Sequence, residues 1–176
     1  MSHSFDKFTV NSPSWNCVAS RSIDSHNDII YNTIMARLQI TIDTSAFISA
    51  LLSQRGAAYL LLILSDSNLF EMNISVALVA EYEDVARRML DQTNLTEQEL
   101  DDILDFICVV ANKREVFFLW RPFLRDPKDD MVLELAVAAG CQFIVTFNQR
   151  HFVGCEQFGI EVVTPKAFLQ RIGKLS

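Results

Sequence analysis

The spacing of apolar and polar positions divides the chain in two. Residues 1–36 are rich in Ser, Asn and Asp and hold no sustained period, whereas from Leu38 onward short apolar runs alternate with stretches of helical spacing. LQITID (38–43) is β-branched and apolar, the pattern of a buried strand. AFISALLSQ and, after Gly56, AAYLLLILSD read as helices, and FEMNIS (70–75) as a short strand. Helical spacing resumes over 75–90, with Ser75 as the N-cap. Thr96 and Glu99 form a capping box that opens a helix running to about Val110. EVFFLW (115–120) is a further strand candidate. Asp126-Pro127 starts a helix that ends at Gly140. QFIVTF (142–147) and IEVVT (160–164) read as strands, and Pro165 starts a closing helix to about Ile172.

Strands that alternate with helices along the whole segment predict an α/β fold. Its expected form is a three-layer α/β/α domain with a mainly parallel central sheet, covered on both faces. The length leaves room for one such domain, placed at 37–176, with 1–36 as an N-terminal extension. The alternative is that this extension contains a helix or strand packed on the domain. Met35 stands just before the first strand and is a candidate translation start. No apolar run reaches the length of a membrane span, and the first ten residues lack the apolar stretch of a secretory signal. A cytoplasmic protein without membrane attachment is the expectation.

Composition changes the picture in two ways. The four cysteines, at 17, 108, 141 and 155, form no C-x-x-C pair and the three histidines are scattered, so neither a zinc site nor a disulfide framework is expected. The formal net charge of −7 argues against coating nucleic acid by charge alone. It leaves room for an enzyme that reaches a phosphodiester through a bound cation, because such a site must itself gather carboxylates.

In an open parallel sheet, ligands bind beyond the carboxyl ends of the strands. Asp43 ends the first strand and is followed by Thr44 and Ser45; it can serve as a helix cap or as a site residue. Asp126, Asp129 and Asp130 share one turn before a helix. Asp126 suits the cap, and all three complement the helix dipole, yet capping needs only one or two carboxylates. In the helix over 75–90, Glu81 and Glu83 fall on opposite edges of the apolar arc, and the wheel does not choose between them. Taken together, carboxylates on three elements can converge, as a hard cation such as Mg²⁺ or Mn²⁺ requires. Arg55, Lys128 and Arg150 are placed to meet phosphate but are too few to name a substrate.

The motifs IDTSAFISALL (42–52), ISVALVAEYEDVARRML (74–90), LRDPKDDMVLELAVAAGCQFIVTFN (124–148) and the HF step at 151–152 resemble, in order and spacing, the PIN-domain family, in particular its branch of ribonuclease toxins from bacterial toxin–antitoxin systems. The likeness covers about residues 37–172. It matches Asp43, Glu81 and Asp129 to the family's three acidic positions, and so selects Glu81 over Glu83. Ser45 and Thr146 match polar positions that would hold the cluster or a water. Asp126 is an acid that this branch often carries three residues before the third position, and Asp130 is a further candidate ligand. Asn148 and His151 stand where relatives often carry acids. The resemblance implies an endoribonuclease using Mg²⁺ or Mn²⁺ at Asp43, Glu81 and Asp129. It also implies a small antitoxin as partner, and a homodimer. Two other readings remain: a PIN-like module that has lost catalysis and binds a partner, and a different acidic-site phosphohydrolase. A haloacid-dehalogenase type would need Asp where Ser45 stands. A response-regulator receiver would need an acidic pair before or at the end of the first strand, where Thr41 and Ile42 precede Asp43, and a later lysine at a strand end, which the sequence does not offer.

Overall fold

The computed structural model describes residues 37–117 and 122–176. The expected extension over 1–36, and residues 118–120 of the expected strand EVFFLW, lie outside the described residues. Within them the chain forms β1 (Leu38–Ile42), α1 (Thr44–Leu52), α2 (Ala57–Ile63), β2 (Phe70–Ile74), α3 (Val76–Arg88), α4 (Glu97–Val110), β3 (Asn112–Lys113), α5 (Pro127–Ala138), β4 (Phe143–Val145), β5 (Glu161–Val163) and α6 (Pro165–Arg171). Short 3₁₀ turns follow α2 and α3, and two more, Gln149–Phe152 and Cys155–Phe158, lead from β4 to β5.

The five strands form one sheet in the order β3-β2-β1-β4-β5, and every pairing is parallel. β1 lies at the centre, with Ile40 opposite Met72 on one side and Phe143 on the other. Ile40, Thr41 and Ile42 are all buried, although successive side chains leave a strand on opposite faces. Both faces are therefore covered by helices, as a parallel sheet demands. α5 packs on β1 and β4, while α1 sits between α2 and α3. Phe168 of α6 meets Phe70 and Phe143 edge-on, at centroid distances of 5.3 and 5.4 Å.

The caps read from the sequence form as expected. Ser75 accepts from Leu78 N, and Thr96 and Glu99 close a reciprocal capping box. One strand differs. β3 is Asn112–Lys113, and residues 115–117 carry no strand. The pairing is set by polar contacts that apolar spacing does not reveal: Asn112 donates to Glu71, Arg114 Nε donates to the buried Asn73 side chain, and Arg114 N donates to the Ile74 carbonyl. Cys141 and Cys155 are buried free thiols, and Cys108 is half-buried and free. Among the described residues no single helix is long and apolar enough to cross a membrane.

Candidate active site

Where β1 ends, Asp43 takes up the N-cap of α1 and is 7% exposed. Its Oδ2 accepts from Ser45 N at 3.2 Å, from Ser45 Oγ at 2.6 Å and from Thr146 Oγ1 at 2.7 Å. Each hydroxyl has one proton, and each gives it to Asp43. The 3.1 Å approach of Ser45 Oγ to Thr146 Oγ1 is then a contact between two acceptors. Each is satisfied from the backbone: Phe147 N donates to Ser45 Oγ at 3.2 Å and Asn148 N to Thr146 Oγ1 at 2.9 Å. The ends of the neighbouring strands β1 and β4 are thus tied together through one carboxylate. Asp43 is both the cap of α1 and a member of the candidate site.

Glu81 comes from α3, its side chain 15% exposed. The next residue, Tyr82, is fully buried, stacks on Phe47 of α1 at 4.3 Å and donates its hydroxyl to the carbonyl of Ile42. That bond fixes α3 against the residue just before Asp43 and sets Glu81 beside the cluster. Burial, and after it the charges of Asp43 and Glu81, pushes the Tyr82 phenol well above its ordinary range. Glu83 instead lies on the surface, paired with Arg87, which also holds Asp101.

The three acids before α5 do three different things. Asp126 caps the helix, accepting from Lys128 N at 3.0 Å. Asp129 faces the cluster with its side chain 13% exposed and 3.3 Å from His151 Nδ1. Its carboxyl is pushed up to about 6, chiefly by burial. The charge of His151 opposes the shift, while those of Asp43, Asp126 and Glu81 add to it. Lys128 Nζ reaches Glu81 Oε1 at 3.6 Å. Asp130, a candidate ligand from the sequence, has a different task. It is buried and accepts from Leu124 N at 2.7 Å and from Phe123 N at 3.3 Å, so its carboxylate is committed to the preceding loop rather than to the cluster. Asn148 is exposed, and its backbone N–H is its link to the site.

Beside Asp129 a cleft of about 680 Å³ opens, lined by Phe123, Arg125, Asp126, Arg150 and His151 among others. Tyr82 and Phe123 escape a sequence reading because an aromatic at helical spacing, or alone in a loop, reads as packing. The pairing of His151 with Asp129 spans 22 residues and carries no local signal.

A sequence model of the PIN domain matches residues 39–150, which contain Asp43, Glu81, Asp129, Thr146 and Asn148. The chain belongs to the PIN-domain family. Its fold is similar to the crystal structure of PAE2754 from Pyrobaculum aerophilum, with a TM-score of 0.51 over 77% of this chain and 90% of that one, at 12% identity. At that identity the likeness speaks for the fold alone. No curated protein matches the sequence. PIN domains are generally nucleases and typically use divalent metals. In this PIN domain the donor set is right for a hard cation, being three carboxylates of which Asp129 is raised by burial and then by the charges of its acidic neighbours. Among the described residues, however, no three His, Cys, Asp or Glu side chains are gathered closely enough to hold an ion as they stand. The chemistry fits, and direct ligation would draw the carboxylates closer together.

Proposed function

We propose that the chain is an endoribonuclease that hydrolyses RNA phosphodiester bonds with Mg²⁺ or Mn²⁺ held by Asp43, Glu81 and Asp129, and that it is the toxin of a toxin–antitoxin pair. The observation that carries the nuclease reading is a set of acids on separate elements of a PIN domain: Asp43 at the N-cap of α1, Glu81 on α3 and Asp129 on α5, whose carboxyl is raised by burial and then by the charges of Asp43, Asp126 and Glu81. When bound, a divalent cation polarises a phosphoryl oxygen and lowers the pKa of its water. The chain's own residues prepare for it. Ser45 and Thr146 fix Asp43 through a single oxygen. His151 orients Asp129, and Lys128 steadies Glu81. Asn148 can offer a carbonyl oxygen without adding charge. The toxin role, a small antitoxin as partner, a homodimer and a cytoplasmic setting rest on the likeness of the motifs to that branch of the family.

The test is cleavage of a labelled single-stranded RNA by the full chain in Mn²⁺. The wild type should cut. Asp43→Asn, Glu81→Gln and Asp129→Asn should each lose at least about a hundredfold in rate, the scale of removing one electrostatic stabiliser from a reacting centre. Their circular dichroism should be unchanged. The second reading, a partner-binding module without catalysis, is favoured by Asn148 and His151 at positions where relatives often carry acids. It expects no Mn²⁺-dependent cutting by the wild type.

A further inference from the structure

The cleft beside Asp129 has features that holding a metal does not require. Phe123 stands in it 39% exposed, yet its ring is not loose. Phe158 meets it edge-on at a centroid distance of 5.1 Å. On another side lies Gly154, where a Cβ would stand 3.2 Å from Phe123 Cζ, and whose φ of +102° suits glycine. The backbone beneath is pinned by Asp130, which accepts from the N–H groups of Phe123 and Leu124. An aromatic ring that is held rigid while partly open to solvent can act as a stacking platform. Two arginines share the cleft. Arg37, Arg87, Arg88 and Arg171 all hold carboxylates and Arg114 donates to Asn73, but Arg125 and Arg150, like the distant Arg55, form no ion pair among the described residues. In a chain of net charge −7, two such guanidinium groups beside one platform favour a ligand that is both planar and anionic.

We propose that this cleft binds an unpaired nucleotide of single-stranded RNA, its base stacked on Phe123 and its flanking phosphates at Arg125 and Arg150. This deepens the nuclease reading and rests on it: the cleft shares Asp129 with the cluster, so a strand held there runs past the carboxylates. Its volume, about 680 Å³, lies within the range of pockets that take small organic ligands, roughly 300–1,000 Å³. A duplex, whose bases are already stacked on one another, offers nothing to Phe123. An enzyme so built selects unpaired segments.

The test measures binding of a fluorescently labelled ten-nucleotide single-stranded RNA to the full chain carrying Asp43→Asn, which keeps the RNA intact. Adding Phe123→Leu should weaken binding at least about fivefold, the low end of what one base–aromatic stack contributes. Adding Phe123→Trp should retain it. An abasic oligomer of the same length should bind equally to the parent and to the protein with Phe123→Leu added. Arg150→Ala should reduce the slope of log affinity against log salt by about 0.7, the share of one phosphate contact on a single strand. Equal binding by the parent and the Phe123→Leu and Arg150→Ala proteins overturns the proposal, as does a preference for duplex RNA. If the wild type cuts RNA while Phe123→Leu leaves both KM and binding unchanged, the cleft reading falls alone. If these dependences appear but no metal supports cutting, the nuclease reading falls and the cleft stands.

Discussion

Asp129 is under two opposed influences, and their balance can be measured. Burial and three neighbouring carboxylates raise it from 3.8 to about 6, and His151 pulls the other way. A carboxyl raised in the fold binds a proton there that the unfolded chain has already lost. Its contribution to stability is therefore complete below about pH 3.8 and is lost as pH rises through about 6. Above that window the ionised group is a burden on the metal-free fold. Asp129→Asn should stabilise the metal-free protein at pH 7.5 by roughly 1 kcal/mol, the shift being discounted for solvent screening. At pH 4 the gain should shrink to near zero. Urea unfolding at the two pH values decides it, and an equal gain at both would assign the effect to packing. The same residue shows what a linear reading can and cannot reach. Capping chemistry and surplus charge both point at the turn before α5. Which acid meets which partner depends on a histidine 22 positions on. Glu81 and Glu83 are likewise inseparable on the wheel, because what parts them is tertiary: Glu81 meets Lys128 from the start of α5, whereas Glu83 stays on the surface beside Arg87 of its own helix, which also holds Asp101 of α4.

At the scale of the element, the start of α5 couples the cluster to the cleft. Asp126 begins the helix, Asp129 faces the site and Asp130 holds the loop that carries Phe123. Removing the Asp130 carboxylate leaves the N–H groups of Phe123 and Leu124 without their acceptor, one of them in a buried residue. Asp130→Ala should cost about 1–3 kcal/mol in urea unfolding. Asp130→Asn, which keeps one acceptor oxygen, should cost less. A loss below about half a kcal/mol for the alanine variant would mean that the loop does not depend on this anchor. Most elements are legible because their information is local: Ser75, Thr96 and Asp126 all cap where the sequence suggests, while Thr164, read as the end of a strand, caps α6 instead. β3 is not, because its two residues, Asn112 and Lys113, are polar, and its place is set by what Glu71, Asn73 and Ile74 can hydrogen-bond across the sheet.

For the whole molecule, alternating strands and helices force a parallel sheet, and a parallel sheet puts its strand ends on one side. That is why Asp43, at the end of the first strand, is readable as a candidate site residue from the pattern alone, whereas Thr146 is singled out only by the likeness of the motifs to the family. The cleft is not readable, since it forms where the loop before α5 meets the turns after β4, two stretches without periodicity. Metal binding should register on the folded chain as a whole. Mn²⁺ at ten times its Kd adds about 1.4 kcal/mol to stability, so Tm should rise by a few degrees. Asn148→Asp should enlarge that rise by supplying a fourth negative charge, and calorimetric titration should show tighter Mn²⁺ binding. An unchanged affinity would place Asn148 away from the ion. The shape of the sheet also has a bearing on association. β5, at one end of the order, runs only from Glu161 to Val163, and Glu161 is tied by Arg171 at 2.6 Å. Recruiting another chain by strand addition needs a longer open row of backbone donors and acceptors, and a charged, short border is how sheets discourage it. A second copy or a small protein partner is therefore better received on the outer surfaces of the helices than as a sixth strand beside β5.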